Sequence, residues 1–156
     1  MSLSASVCSR LQYQHEAIYD LLNGLSEDQL RQRIHKEKWS AFEQVAHLVS
    51  YQPVFLQRMQ IIQQENDPLF DRYVADNDPA FIACCERSLM VLLNDLSAQR
   101  TIIIKHLMTL TGAAISKTGR HPKYGLLTIA EWTEFFLLHE AHHLFSIFML
   151  TRSTRP

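Results

Sequence analysis

Four glycines in 156 residues, and the places where they stand, set the strongest limit on how this chain folds. Gly24, Gly112, Gly119 and Gly125 all fall where apolar periodicity stops, as helix C-termini and loops require. The segments between them are long and uninterrupted. Leu11, Ile18, Leu21, Leu22 and Leu25 recur at three- and four-residue spacing and predict a first helix from about Ser4 to Gly24. Ser26-Glu27-Asp28-Gln29 reads as a capping box that opens a short extra helix. Ser40-Ala41-Phe42-Glu43 is a second box, opening a long helix to about Gln64 with a kink expected at Pro53, which lacks an amide donor. Residues 65–78 are polar, carry Pro68 and read as a loop. Asp78-Pro79 supplies an N-cap and a first-turn proline for a third helix through Leu89, Leu92, Leu96 and Ile103 to Gly112. Thr128-Ile129-Ala130-Glu131 is a third box, and the last helix runs from it to about Leu150. No convincing strand alternation appears. Four helices of about 20 to 30 residues span roughly 30 to 45 Å, which suits an all-α, antiparallel four-helix bundle with ligand sites between its helices.

A chain of this length buries enough surface for a single domain, expected over residues 1–156. It is 47% hydrophobic and 20% charged, with 15 basic against 16 acidic residues, so disorder is excluded and nucleic acid is not an expected partner. Cys8, Cys84 and Cys85 are odd in number and two are adjacent, so a secreted disulfide framework is excluded and a reducing cytoplasm is expected. The N-terminal residues lack a basic and then apolar signal pattern. The most apolar run, Phe135 to Leu150, is shorter than the roughly 20 residues of a membrane span and is broken by Glu140 and three histidines, so no membrane association is expected.

Those histidines are the chemically pointed feature. At about 100° per residue, His139 and His143 project onto one helix face about 40° apart, a spacing that lets two imidazoles share a metal. Trp132, Phe135, Phe136, Ser146 and Leu150 share that face, which is expected to be the bundle interior. An isolated HxxxH is more often a pair of core histidines with ordinary hydrogen-bond partners. Two neutral imidazoles packed together nevertheless each need a partner, and one shared cation satisfies both. A third imidazole, His47, lies on helix 2 among Val45, Ala46, Leu48 and Val49. A facial His47, His139, His143 set with positions left open is the arrangement of a catalytic divalent-metal site.

Three stretches carry a family resemblance: Lys38-Trp39-Ser40-Ala41-Phe42-Glu43-Gln44-Val45-Ala46-His47-Leu48, the loop His121-Pro122-Lys123-Tyr124-Gly125-Leu126-Leu127-Thr128, and His139-Glu140-Ala141-His142-His143. Together they resemble the DinB-like superfamily over almost the whole chain. The resemblance implies a four-helix bundle of up-down-down-up topology and a three-histidine metal site, one ligand from helix 2 and two from helix 4. The matching positions are His47, His139 and His143. The family includes bacillithiol transferases, related to YfiT-type proteins first described as metal-dependent hydrolases, and mycothiol-dependent isomerases. It therefore implies a small-molecule substrate and thiol-dependent S-transfer with a low-molecular-weight thiol cosubstrate, with water-based hydrolysis or non-catalytic, stress-associated metal binding as alternatives. Imidazole ligands suit Zn, Ni, Fe or Mn.

Other residues are candidates around this set. His142 lies about 60° from His139 on the side away from His143, and is either a fourth ligand or, preferably, a group that orients the ligands; pairing of His139 with His142 is also open. Glu43 could orient His47 or act as a base, but its capping box already explains it. Tyr51 and Trp132 could line a pocket or simply fill the core. Glu140 projects about 100° from His139 and does not match the glutamate of an HExxH protease. Arg58 projects near the His47 face and could hold a carboxylate, although a side chain snorkelling to the surface is the more ordinary expectation. His15, His35, His106 and His121 are expected in surface or loop positions. On the face of helix 4 opposite the histidines, Leu137, Ala141, Leu144 and Phe148 form a second apolar stripe. It points to a symmetric homodimer, or else to cover by helix 1 or residues 26–37.

Overall fold

The computed structural model describes residues 2–154, so Met1 and the last two positions of the expected domain lie outside the described residues. Four legs form a bundle. The first is α1 (Ala5–Tyr13), a 310 turn (Gln14–Glu16) and α2 (Ala17–Leu22); after the short α3 (Glu27–Arg31) the second is α4 (Ala41–Gln64). The third is α5 (Pro79–Cys85) followed by α6 (Leu89–Met108), and the fourth is α7 (Ile129–Thr154). The capping boxes form as expected at Ser26, Ser40 and Thr128, and each satisfies helix N–H groups that have no partner within the helix. α4 continues through Pro53 without a break.

Side-chain pairings fix the direction of each leg. Gln52 reaches the Leu96 carbonyl and Gln63 meets His106, so α4 and α6 run parallel. Gln44 pairs with His143 and Phe55 stacks on Phe136, so α7 runs against α4. Arg10 pairs with Glu134 and Gln14 with the Leu137 carbonyl, so the first leg runs with α7. The topology is up-down-down-up, and the two middle legs are not the antiparallel neighbours that helix lengths alone suggest.

Several expected boundaries move. The first helix is not continuous to Gly24: it is interrupted at Gln14–Glu16, where the Gln14 side chain crosses to α7 and the Leu11 carbonyl accepts from Arg100 Nη1. The third helix breaks between Cys85 and Leu89. Arg31 donates to the Cys85 and Arg87 carbonyls, while Glu27 accepts from the Leu89 amide at the start of α6. One ion pair on α3 thus satisfies both sides of the break. α7 runs past Leu150 to Thr154.

The loop before it contains an antiparallel hairpin, β1 (Thr118–His121) and β2 (Gly125–Thr128), which sequence alternation does not reveal because each strand has four residues. Gly125 has φ +77°, the left-handed position that a three-residue hairpin loop demands. Gly119 is needed for space: a Cβ there would lie 2.7 Å from Ile62 side-chain atoms.

Two apolar clusters fill the bundle. One gathers Ile18, Leu22, Leu30, Phe42, Val45, Leu92 and Leu144; the other gathers Leu11, Phe55, Met59, Ile103, Trp132, Phe136 and Leu137. Between them lies a layer of buried polar side chains: His15, His47, Gln52, Arg100, Glu140 and His143. The stripe expected on the outside of α7 is not one exposed face. Leu137 and Leu144 are buried against the first leg and α3, which is the covering alternative, while Ala141 and Phe148 remain exposed. No helix of the described residues is long and apolar enough to cross a membrane.

Candidate metal centre

Ser40 caps α4, which places His47 two turns into the helix, and α7 brings His139 and His143 against it on one face. The three rings converge through Nε2. His139 Nε2 lies 3.1 Å from His47 Nε2 and 3.0 Å from His143 Nε2. Ligand atoms of all three lie within 4.8 Å of one another. His143 Nδ1 donates to Gln44 Oε1 at 2.6 Å, which leaves its Nε2 as a lone pair. Nδ1 of His47 and of His139 has no partner among the described residues.

Protonation does not resolve this crowding. Burial, with repulsion from His139, pushes His47 down to about 3, and burial with His142 pushes His139 down to about 4. Burial and its three neighbours lower His143 to about 2. All three are therefore neutral at pH 7, the form that ligates metals. In a neutral trio the His139 Nε2 position carries one proton or one lone pair, and neither satisfies two facing ring nitrogens at once. A cation does. Zn–N bonds of about 2.0–2.1 Å place two imidazole nitrogens roughly 3.3 Å apart in a tetrahedral site and about 3.0 Å apart on an octahedral face. The observed separations fit a divalent cation.

Aromatic rings wall the trio. Trp39, held by a 3.0 Å bond from Nε1 to Asp76, lies 5.1 Å from the His47 ring and stacks on His143 at 6.2 Å. Tyr51 is 4.8 Å from the His139 ring, and Tyr73 stacks on His47 at 5.8 Å while donating to Asp78. Trp39 and Gln44 lie inside the motif around His47, so the sequence held a signal for them; Tyr73 comes from the long crossover and had none. On one side of His139 a cavity of about 520 Å³ opens, lined also by Tyr51, Arg58, Tyr73 and the hairpin residues His121 and Lys123.

The remaining candidates separate. Glu43 does not face the trio: its carboxylate binds Arg33 and the Ser40 amide, and although burial opposes ionisation these partners hold it below the usual carboxylate range. His142 is exposed, its ring 5.3 Å from His143, and it is outside the converging set. Trp132 is fully buried and donates to the Gly119 carbonyl, fastening the hairpin to α7. Glu140 turns away from the histidines into a buried ion pair with Arg100, supported by Gln14 and Gln52. Arg58 does not snorkel free: it is half-buried in the cavity wall, donating to the Asp71 carbonyl at 2.8 Å and to Tyr51 Oη at 3.5 Å. His15 is buried, not at the surface, and His121 lines the cavity from the end of β1.

Comparison with known proteins adds the fold's relatives. YfiT from Bacillus subtilis, described as a probable metal-dependent hydrolase with an unusual four-helix bundle topology, superposes with a TM-score of 0.82 at 18% identity, covering 97% of this chain and 90% of that one. TT2238, a four-helix bundle protein, gives a TM-score of 0.66 at 18% identity over 91% of this chain and 95% of that one. No curated protein sequence matches. The model of the DinB superfamily matches residues 10–147, a span that takes in all four legs and every ring of the trio, and the chain belongs to that superfamily.

Proposed function

We propose that this protein is a divalent-metal-dependent enzyme that joins a small thiol to an electrophilic substrate at the His47, His139, His143 centre. The observation that carries the metal is the convergence of three neutral Nε2 atoms at 3.0 and 3.1 Å, an arrangement without a satisfactory proton distribution. A cation held there supplies Lewis acidity, favouring thiolate over thiol, or hydroxide over water, near neutral pH. The chain's part is to hold and shield. Gln44 fixes the tautomer of His143, Trp39 and Tyr73 keep solvent from the ring faces, and the cavity beside His139 admits the reactants.

Thiol transfer is the reading we favour because the carboxylates nearest the ligands in sequence are engaged elsewhere. Glu43 is bound to Arg33 and Glu140 to Arg100, so neither is free to take a proton from water. A thiol, with an ordinary pKa of about 8.5, needs less help to ionise than water does. In the transfer, the thiolate sulfur forms a bond to the electrophilic carbon, and the displaced group departs with the electron pair of the bond that breaks. Hydrolysis is the second reading, and the likeness in fold to YfiT, itself described as a probable metal-dependent hydrolase, favours it.

The metal content of untagged protein, beside His143→Ala, tests the centre first. Near-stoichiometric Zn, Ni, Fe or Mn in the parent and its loss in the variant is the expected result. Consumption of 1-chloro-2,4-dinitrobenzene with and without added cysteine, and of 4-nitrophenyl acetate without it, then separates the two activities. Metal binding with no acceleration of either reaction identifies a non-catalytic metal-binding bundle and overturns both.

A further inference from the structure

We propose that the cavity beside His139 accepts a small molecule with an anionic head group, a carboxylate or phosphate, seated on the Arg58 guanidinium at the end remote from the metal centre. Arg58 projects from α4 about three turns beyond His47, and Tyr51 bridges the interval: its ring lies 4.8 Å from that of His139 and its hydroxyl 3.5 Å from Arg58 Nη1. One tyrosine side chain therefore separates the reacting pole from the cationic pole. The guanidinium spends hydrogen bonds on Tyr51 Oη and the Asp71 carbonyl, which fix its orientation while leaving its charge unneutralised.

The surrounding charges agree in sign. Arg72 and Lys123 also line the cavity, and among the described residues none of the three cations has a carboxylate within ion-pair distance. A single carboxylate, that of the exposed Asp71, stands against them. A half-buried guanidinium in a low-dielectric wall attracts an anion more strongly than an exposed one, and its planar fork matches carboxylate or phosphate oxygens. His121 adds a donor: its Nδ1 accepts from the Lys123 and Tyr124 amides at 3.1 and 3.2 Å, which puts its ring proton on Nε2. Between the poles the walls are aromatic, from Tyr51, Tyr73 and Phe135, so a flat or apolar body fits behind the head group.

This specifies the substrate class of the site proposed above, and rests on that reading only for which end reacts. The test is calorimetric and needs no turnover: 3-phenylpropionate, 3-phenylpropanamide and phenyl phosphate are titrated into the zinc-treated full chain and into His143→Ala. An anion bound directly to the metal disappears in His143→Ala, whereas one bound to Arg58 persists there. We expect an anion to bind at least about tenfold more tightly than the amide in both proteins, the tighter of the two anions naming the head group. That preference should collapse in Arg58→Gln and fall about threefold in the exposed Lys123→Gln. Should Arg58→Gln not fold, Arg72→Gln combined with Lys123→Gln decides, and an unchanged preference there overturns the proposal. Equal affinity for anion and amide in His143→Ala overturns it as well, with the metal centre untouched. Metal retained by His143→Ala sinks the centre and leaves the anion site standing.

Discussion

Gln44 does for His143 what no described residue does for His47 or His139: it accepts the hydrogen bond from Nδ1–H and so holds the ring's lone pair inward. Partners of this kind raise ligand basicity, and their removal typically costs about 10- to 100-fold in metal affinity. Gln44→Leu should therefore weaken zinc binding by that factor, read by competition with a chromophoric chelator, while the far-ultraviolet spectrum stays unchanged. Histidine spacing on the last helix, with His47 on the second, was legible because ligand positions follow helical geometry. What surrounds them was less so. Trp39, Gln44 and Arg58 lie on readable segments, yet their roles depend on which leg packs beside them, and Arg58 read as a surface side chain until the crossover covered it.

At the level of elements, α7 carries two chemistries on adjacent residues, since His139 faces the cavity and Glu140 the Arg100 guanidinium. Arg100 is fully buried, so removing its carboxylate strands a charge in the core. Glu140→Leu should cost roughly 3–5 kcal/mol in urea denaturation, and combining it with Arg100→Met should recover most of that loss. The hairpin offers a second case. A methyl group at Gly119 would press on Ile62 and the Phe70 ring, both buried, so Gly119→Ala should cost about 1–3 kcal/mol and displace His121 from the cavity wall. The thermal midpoint reads the first effect and the His121 proton resonances the second. Helix starts were readable from their capping boxes, because those interactions are local. The breaks at Gln14 and Glu86 were not, because the groups that satisfy them, Gln14 with α7 and Glu27 with Arg31, act across long separations in the chain.

Across the whole molecule, three buried histidines and the half-buried His139 make stability depend on pH. His15 is lowered to about 4 by burial and by Arg100, and the trio to about 4 or below. The unfolded chain binds these protons near pH 6.5 and the folded chain does not, so stability is complete above that value and falls as pH falls toward 4. Each histidine removes up to about 1.4 kcal/mol per pH unit in that window. Metal-free protein in chelator should show a thermal midpoint that drops steadily from pH 7 to pH 4.5, and a flat profile would contradict the neutral trio.

Because α4 and α6 run the same way, the chain has to travel back along the bundle between them, and residues 65–78 make that journey. Asp71, Arg72 and Tyr73 reach the cavity from this return path, and His121, Lys123 and Tyr124 from the connection before α7, whereas the three ring nitrogens come from α4 and α7 alone. The ring nitrogens and Arg58 thus sit on packed helices, while the other charged residues of the cavity wall sit on connections. Connections accept substitution and insertion far more readily than packed helices. A lineage built on this topology can reshape the rim of that cavity by rewriting two surface passages while the three rings are passed on intact.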